Sequence, residues 1–501
     1  MPEFSEFADV VIVGSGPAGS TYARIIANEW PAARILMLEA GPVVSDPPGH
    51  HVSNILDAEK QSAAQMASQG PNRARAYAAI TEAEWGERIA GKPDAAMLRR
   101  PGLFPVGGGA LDGDGFPAGH AASNVGGMGS HWYGACPRPW GDERVPFIDS
   151  ATMDEALTVG EGLLRASADQ FPDSAVARVL EDKLGAMFDA GRAADRVVQP
   201  MAMALVRTAD GVLRSGPDVI LGDLLDDDSG RFELRPDTVV RRVLVEGRRA
   251  VGVEIVDATG QVSLIGTGTV VVAADALHTP QLLFASGIRP TALGHYLNEH
   301  PQVAIMAELE GVQDAPLSHS VTWVPYLGEA FPYSAMMSQA SPAVLPFDVP
   351  GADTRKPWLF MSLFGVADPR FENAVSFSET TADWRGLPAI SAHYRLSDTD
   401  LGRLEKAKTI LLEIANRLGR PLPGHAPMVP PLGSSLHYQG TVRMGEQDDG
   451  LSVCNRDSRV WGFDNLYVAG NGVIPTRTAG NPTLTAVALG VLGARSIAAS
   501  H

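Results

Sequence analysis

A chain of 501 residues, 45% of them hydrophobic, can bury a large core and has the length for about two or three domain-sized units. Its 58 acidic against 40 basic residues give a formal charge of −18, a field that repels phosphate backbones and anionic headgroups and argues against nucleic acid or a membrane surface as partner. Cys136 and Cys454 are too few for a disulfide framework and lack metal-ligand spacing, so both are expected as free thiols and no metal is expected.

Residues 9–13 (DVVIV) are a β-branched apolar run that suits a strand buried on both faces of a parallel sheet. Gly14-Ser15-Gly16-Pro17-Ala18-Gly19 follows at once, residues 20–29 suit a helix, and 34–39 (RILMLE) form a second strand ending in a carboxylate. In such a βαβ unit Gly14 permits the tight turn, Gly16 lets a pyrophosphate approach the backbone, and Gly19 lets helix pack closely on strand. The phosphates meet the positive N-terminus of the helix. Glu39, about 20 residues beyond the last glycine, is placed to accept hydrogen bonds from ribose hydroxyls. The unit serves FAD, NAD and NADP; the carboxylate disfavours the 2′-phosphate of NADP and leaves FAD and NAD open. A strand this close to the first residue leaves no room for a secretory leader, so a cytoplasmic location is the expectation.

Residues 42–101, rich in Ala, Gln, Arg and Glu, suit helices and loops covering the cofactor domain. Residues 105–139 are glycine-dense around Asn124-Val125-Gly126-Gly127-Met128-Gly129-Ser130-His131-Trp132, a mixture that fits a loop pressed against a ligand better than a linker. Helical periodicity covers 153–171 and 175–190. Strand signals fill 232–256, with a hairpin turn at Glu246-Gly247; 269–274 (TVVVAA) is a further buried strand, followed by a helix over 279–286. Alternating segments between 301 and 395, such as WLFMSLFGVA, predict a separate antiparallel sheet, crossed by an amphipathic helix over 401–418. From Ser434 the chain turns glycine-rich again and ends in a helix starting near Pro482. The apolar stretch 484–497 is too short to span a bilayer and suits a buried core helix.

Four segments in this order resemble the glucose-methanol-choline (GMC) oxidoreductases: VVIVGSGPAGS at 10–20, VVVAADALHTPQLLFASGI at 270–288, YLNEHP at 296–301, and the block 437–489. VGGMGSHW at 125–132 and DSRVWGFDNLYVAGNGVIPT at 457–476 resemble the pyranose oxidase and bacterial glycoside 3-oxidase branch of that family. The resemblance implies an α/β protein. A Rossmann-like FAD-binding domain is assembled from residues 1–145, 201–300 and 431–501, and an α+β substrate domain, helical over 146–200 and sheet-based over 301–430, roofs the isoalloxazine ring. It also selects FAD. Carried over by position, Val240 touches adenine through its backbone, Ala274 lies near the pyrophosphate, and Gly127, Met128 and Ser130 line the flavin. Asn471, Gly472 and Thr483 hold the ribityl chain and ring edge. His131 matches the histidine that bears a covalent flavin bond in fungal pyranose oxidases; a bond and a plain packed histidine both stay open here. The family threonine two residues further on is Tyr133 in this chain.

His437 opens HYQGTVRMG and Asn481 opens NPTLTAVAL, where the family keeps a histidine and a histidine or asparagine facing the substrate hydroxyl. Oxidising an alcohol requires the O–H proton to leave while hydride leaves the same carbon. A neutral imidazole, with an ordinary pKa of about 6.5, accepts that proton near neutral pH. Asn481 cannot act as a base there, but its amide can orient the hydroxyl. Asn-Pro-Thr is also a good helix start. His300 and His278 are expected to be structural, and Gln339 and Tyr333 are weak candidates for sugar contacts. The expected activity is FAD-dependent oxidation of a sugar secondary alcohol, at carbon 2 or carbon 3 of glucose or of a glycoside, to a keto-sugar. Electrons pass to dioxygen, giving hydrogen peroxide, or to a quinone. The alternatives are oxidation of a non-sugar alcohol and a non-redox FAD-containing lyase.

Overall fold

The computed structural model describes residues 3–70, 102–106, 116–209, 211–341 and 349–501. β1 (Glu6–Val13), α1 (Pro17–Glu29) and β2 (Ile35–Leu38) form the expected βαβ unit, with β1 parallel to β2 from Val10 opposite Ile35 to Val13 opposite Leu38. Pro17 begins α1, where its missing N–H leaves nothing unpaired. Of the helices expected over 42–101, α2 (Ala58–Ala67) is seen, and residues 71–101 lie outside the described residues.

α3 (Ser150–Leu164) stops short of the helix predicted over 153–171. Arg165 takes a left-handed conformation, φ 51°, and the Ala166 N–H bonds back to the Glu161 carbonyl, which closes the helix despite apolar residues further on. α4 (Ala175–Phe188) follows, its start capped by the Ser174 hydroxyl.

β3 (Phe232–Arg235), β4 (Val239–Glu246), β5 (Arg249–Val256) and β6 (Val262–Val272) complete the first sheet among the described residues, in the order β3, β2, β1, β6, β5, β4, with Leu466–Val468 also paired to β6. β3, β2, β1, β6 and 466–468 run parallel, whereas β4 and β5 form the predicted antiparallel hairpin, closing where Glu246 pairs with Arg249.

α5 (Asp275–Ala285) begins four residues before the predicted start at 279, because Pro280 lies inside the helix rather than in its first turn. A proline there leaves the carbonyl four residues back without its N–H partner. That carbonyl, of Ala276, accepts the Thr441 hydroxyl instead. In the first turn Asp275 accepts from the N–H groups of Leu277 (2.6 Å) and His278 (2.9 Å) and meets His278 Nδ1 at 2.7 Å, and His278 also lines the cavity described below.

The second sheet contains β7 (Gln302–Leu309), β8 (Val321–Val324), β9 (Tyr333–Ala340) and β10 (Trp358–Gly365), all antiparallel, with Gly419–Pro421 and Gln199–Pro200 at its edges. Its alternation divides two environments. Val303, Ile305, Ala335, Met337, Leu359 and Met361 pack with Leu404, Leu411 and Ile414 of α6 (Asp398–Leu418) and with Val176 and Leu180 of α4. The intervening residues face a cavity between the two sheets. β11 (Ala374–Ala382) and β12 (Pro388–His393) make a separate hairpin. α7 (Thr483–Ala498) is the predicted core helix, buried over most of its length against α1 and α3. No helix among the described residues is long and apolar enough to cross a membrane.

Candidate active site

A cavity of about 970 Å³ lies outside the carboxyl ends of β1, β2 and β6 and extends to the open face of the second sheet. That volume is at the upper end for small-molecule and cofactor sites, about 300–1,000 Å³, and the strand ends of a parallel sheet are where such sites form. The folded chain brings Gly14, Gly16, Glu39, Gly127, Met128, Ser130, His131, Val240, Ala274, Asn471, Thr483, His437 and Asn481 to its wall from segments far apart in sequence. Gly19 and Gly472 are off the wall. Without a side chain, Gly19 lets α1 lie on the Gly14 carbonyl, as expected, and Gly472 packs against Val442 and Thr441 instead of reaching the cavity.

At one end the wall suits a dinucleotide. Gly14 has φ 104°, and a Cβ there would strike the Ala273 carbonyl. Gly16 faces open space, its nearest neighbour for an added Cβ being the Gly126 oxygen at 3.9 Å. No side chain caps α1 and no acid sits in its first turn, which leaves its N–H groups for an anion. Glu39 is buried. Its Oε2 accepts from the Ser15 N–H (3.1 Å) and hydroxyl (2.7 Å), and its Oε1 from the Gly41 N–H (3.0 Å). Burial pushes its pKa up, and those hydrogen bonds pull it back. Ser15 Oγ in turn accepts from Gly126 N–H at 2.9 Å, so Glu39 steadies both glycine loops. Arg385, absent from the sequence reading, reaches this wall from the tip of the β11–β12 hairpin. It is buried beside Asp383, with its guanidinium 4.5 Å from the Trp384 ring. The signal for it was the turn Asp383-Trp384-Arg385-Gly386 between two alternating segments.

His131 also lines the cavity. Its Nε2 lies 3.2 Å from Asn124 Oδ1, and Gly102 packs on its ring so closely that an added Cβ would stand 2.5 Å from Cε1. Burial lowers its pKa to about 4, so the ring is neutral. Tyr133 is exposed at the cavity edge, and its carbonyl accepts from Arg214 at 2.6 Å.

At the other end His437 and Asn481 meet: Asn481 Nδ2 is 3.2 Å from His437 Nε2. Asn481 Oδ1 is buried with no hydrogen-bond partner, an acceptor aimed into a site that a ligand would complete. His300, expected to be merely structural, places its Nε2 2.5 Å from His437 Nδ1. Its neighbour Glu299, also buried, accepts from Gly433 N–H and the Ser435 hydroxyl at 2.5 Å each, and Ser435 Oγ accepts from His437 N–H at 3.2 Å. Glu299 thus fixes the loop that delivers His437, including the left-handed Leu436, φ 60°. Glu143 does the same for Asn481, accepting from Ala479 and Gly480 N–H at 2.8 and 2.9 Å.

Above this pair, Gln302, Ala304, Met306, Met336, Ser338, Phe360, Ser362 and Phe364 form an uncharged roof. Tyr333 and Gln339 are not on it. Strand alternation turns both away from the cavity: Tyr333 joins the helix-facing core with its hydroxyl on the Arg403 carbonyl, and Gln339 accepts from Ser318 N–H.

The chain matches the GMC oxidoreductase family over residues 139–302 and 369–490. It is 47% identical over 508 residues to the C-glycoside 3-oxidase of Microbacterium trichothecenolyticum, covering 98% of this chain and 96% of that one. The chain belongs to the GMC oxidoreductase family. It is 30% identical over 552 residues to the pyranose 2-oxidase of Tricholoma matsutake, covering 99% and 94% of the two chains. The crystal structure of pyridoxine 4-oxidase from Mesorbium loti shares the fold, with TM-score 0.65 and 18% identity over 98% of this chain and 99% of that one. This GMC protein is accordingly an FAD-dependent oxidoreductase acting on CH–OH groups. The residues present fit that cofactor: an uncapped helix start and two open glycine loops for the diphosphate, the Glu39 carboxylate for a ribose, and the orphan Asn481 oxygen at the reacting end.

Proposed function

We propose that this GMC oxidoreductase oxidises a secondary alcohol of a sugar, foremost the carbon 3 hydroxyl of a glycoside, to a ketone, with dioxygen as electron acceptor. The observation that carries the reading is the His437–Asn481 pair beneath a roof whose described residues bear no charge. Such a roof suits a neutral polyol and offers no ion-pair partner to a cationic or carboxylate substrate. The likeness to a C-glycoside 3-oxidase over nearly the whole chain favours carbon 3 of a glycoside over carbon 2 of a free sugar.

A substrate hydroxyl that displaces the Asn481 amide from His437 Nε2 donates to that nitrogen and accepts from the freed Nδ2. His437 takes the proton as the carbon loses hydride, so the alcohol loses two electrons and two hydrogens and becomes a ketone. Bound FAD supplies the acceptor for that hydride and the two electrons that reduce dioxygen to hydrogen peroxide. Phe364 packs its ring 4.6 Å from that of His300 and 6.0 Å from that of His437, an apolar neighbour for both imidazoles. Gly127, Met128, Ser130, Asn471 and Thr483 are placed to hold the flavin and its ribityl chain, and Val240 and Ala274 the adenosine and diphosphate.

The cofactor is held without a covalent bond in this reading. The Asn124 oxygen opposite His131 Nε2 calls for a proton on that nitrogen, which leaves the lone pair on Nδ1, on the side of the ring where an added Cβ at Gly102 would stand 2.7 Å away. Two buried, free cysteines suit a cytoplasmic location.

Aerobic turnover of a C-glycoside, a free glucose control and an aryl alcohol, with product analysis by NMR, tests the proposal. A 3-keto-glycoside formed with an equivalent of peroxide is expected. Turnover of the aryl alcohol alone, or cleavage without flavin reduction, would overturn it.

A further inference from the structure

We infer that His300 is a positioning residue that fixes the tautomer of His437, keeping the Nε2 lone pair toward the substrate. The inference rests on the reading of His437 as the base. Two ring nitrogens 2.5 Å apart, His300 Nε2 and His437 Nδ1, form a hydrogen bond only if one proton lies between them. If His300 donates it, neutral His437 carries its own proton on Nε2, facing the Asn481 amide nitrogen, and has no lone pair for the substrate. If His437 donates it, Nε2 is free to accept.

The Asn481 amide on the far side of His437 selects the second arrangement. The ring is fully buried and burial holds its pKa well below the ordinary histidine value, so it is neutral and carries one proton. Its Nδ1 is buried and makes no hydrogen bond, so the ring's one polar contact of hydrogen-bond length is that of Nε2 with His437. The Asn481 amide nitrogen can only donate and lies 3.2 Å from His437 Nε2, so Nε2 is the accepting nitrogen, His437 carries its proton on Nδ1, and His300 Nε2 accepts that proton while Nδ1 of His300 holds its own. Glu299, the residue before His300, grips the loop carrying His437. One dipeptide therefore fixes both the position of the base and the nitrogen that carries its proton.

The pH consequence follows from the groups that face His437. Among them are His300, Glu299 through the Ser435 hydroxyl, and the uncharged Asn481 and Phe364. The imidazolium formed when His437 takes the substrate proton keeps its Nδ1–H on His300. Removing that acceptor disfavours the imidazolium, which lowers the pKa of His437 and moves the rise of rate with pH toward lower pH.

The test compares His300→Leu, which has no acceptor, with His300→Gln, whose amide oxygen can accept from His437. In the FAD-loaded holoenzyme, anaerobic flavin reduction by a C-glycoside is expected to fall about 10- to 100-fold in His300→Leu, with KM little changed and the pH limb moved down. His300→Gln is expected to recover most of the rate. ¹⁵N NMR of histidine-labelled wild-type holoenzyme reads the tautomer without turnover: Nε2 of His437 should appear as the unprotonated nitrogen. A wild-type rate and limb in His300→Leu, an equal loss in the Gln variant, or a proton on Nε2 would each overturn the inference. His437→Ala separates the two readings, because undiminished reduction there removes His437 as base, whereas loss there with none in His300→Leu removes only His300.

Discussion

Replacing Glu143 by glutamine is expected to slow the chemistry without emptying the cofactor site. The carboxylate is 3% exposed, with Oε1 on the N–H groups of Ala479 and Gly480 and Oε2 on that of Trp140 at 3.0 Å. Burial pushes its pKa up, and the three N–H groups pull it back. Glutamine keeps one oxygen and turns an NH₂ toward whichever N–H loses its acceptor. At least one charge-assisted bond is lost, worth about 1.5–3 kcal/mol, and the others fall to about half their strength as neutral pairs. The relaxed segment ends one residue before Asn481, where a displacement of about 1 Å can cost on the order of 100-fold in rate. Flavin reduction in Glu143→Gln should therefore drop about 10- to 100-fold. The assay is anaerobic stopped flow at saturating C-glycoside, on protein whose FAD content and circular dichroism match wild type. A folded, FAD-loaded variant reduced at the wild-type rate would refute the claim that this carboxylate sets the position of Asn481.

Glu39→Ala should weaken FAD binding to the apoprotein at least about tenfold, since it removes a ribose acceptor and releases the Ser15 loop, while the loaded enzyme keeps its reduction rate; flavin fluorescence quenching measures the first and stopped flow the second. Unchanged FAD affinity would count against both roles. Acid precipitation of the holoenzyme should leave the yellow colour in the supernatant if the Asn124 contact holds the His131 proton on Nε2 as proposed; colour retained in the pellet would mean a covalent link.

The first forty residues were legible because their chemistry is local: glycine spacing, a proline at the helix start and an acid at the strand end act within one βαβ unit. The antiparallel sheet was legible as alternation, but its phase relative to the cavity was not, which is why Tyr333 and Gln339 stood as weak candidates for sugar contacts although both turn away from the cavity. The end of α3 at Arg165 and the burial of Pro280 inside α5 depend on backbone conformation and on a hydroxyl 165 residues away, Thr441 to Ala276, which periodicity does not register. His437 and Asn481 stood out by their motifs. The residues that hold them did not, because His300 reaches His437 across 137 positions and Glu143 reaches Ala479 across 336.

The central claim is that His437 accepts the hydroxyl proton while a glycoside reduces the cofactor, and its most direct measurement is the rate of anaerobic flavin bleaching in wild type and in His437→Ala. The account predicts that a C-glycoside bleaches the wild-type flavin and that the variant, equally folded and equally loaded with FAD, is slower by about 100-fold or more. Bleaching of the variant at the wild-type rate would contradict it and require another acceptor for the proton.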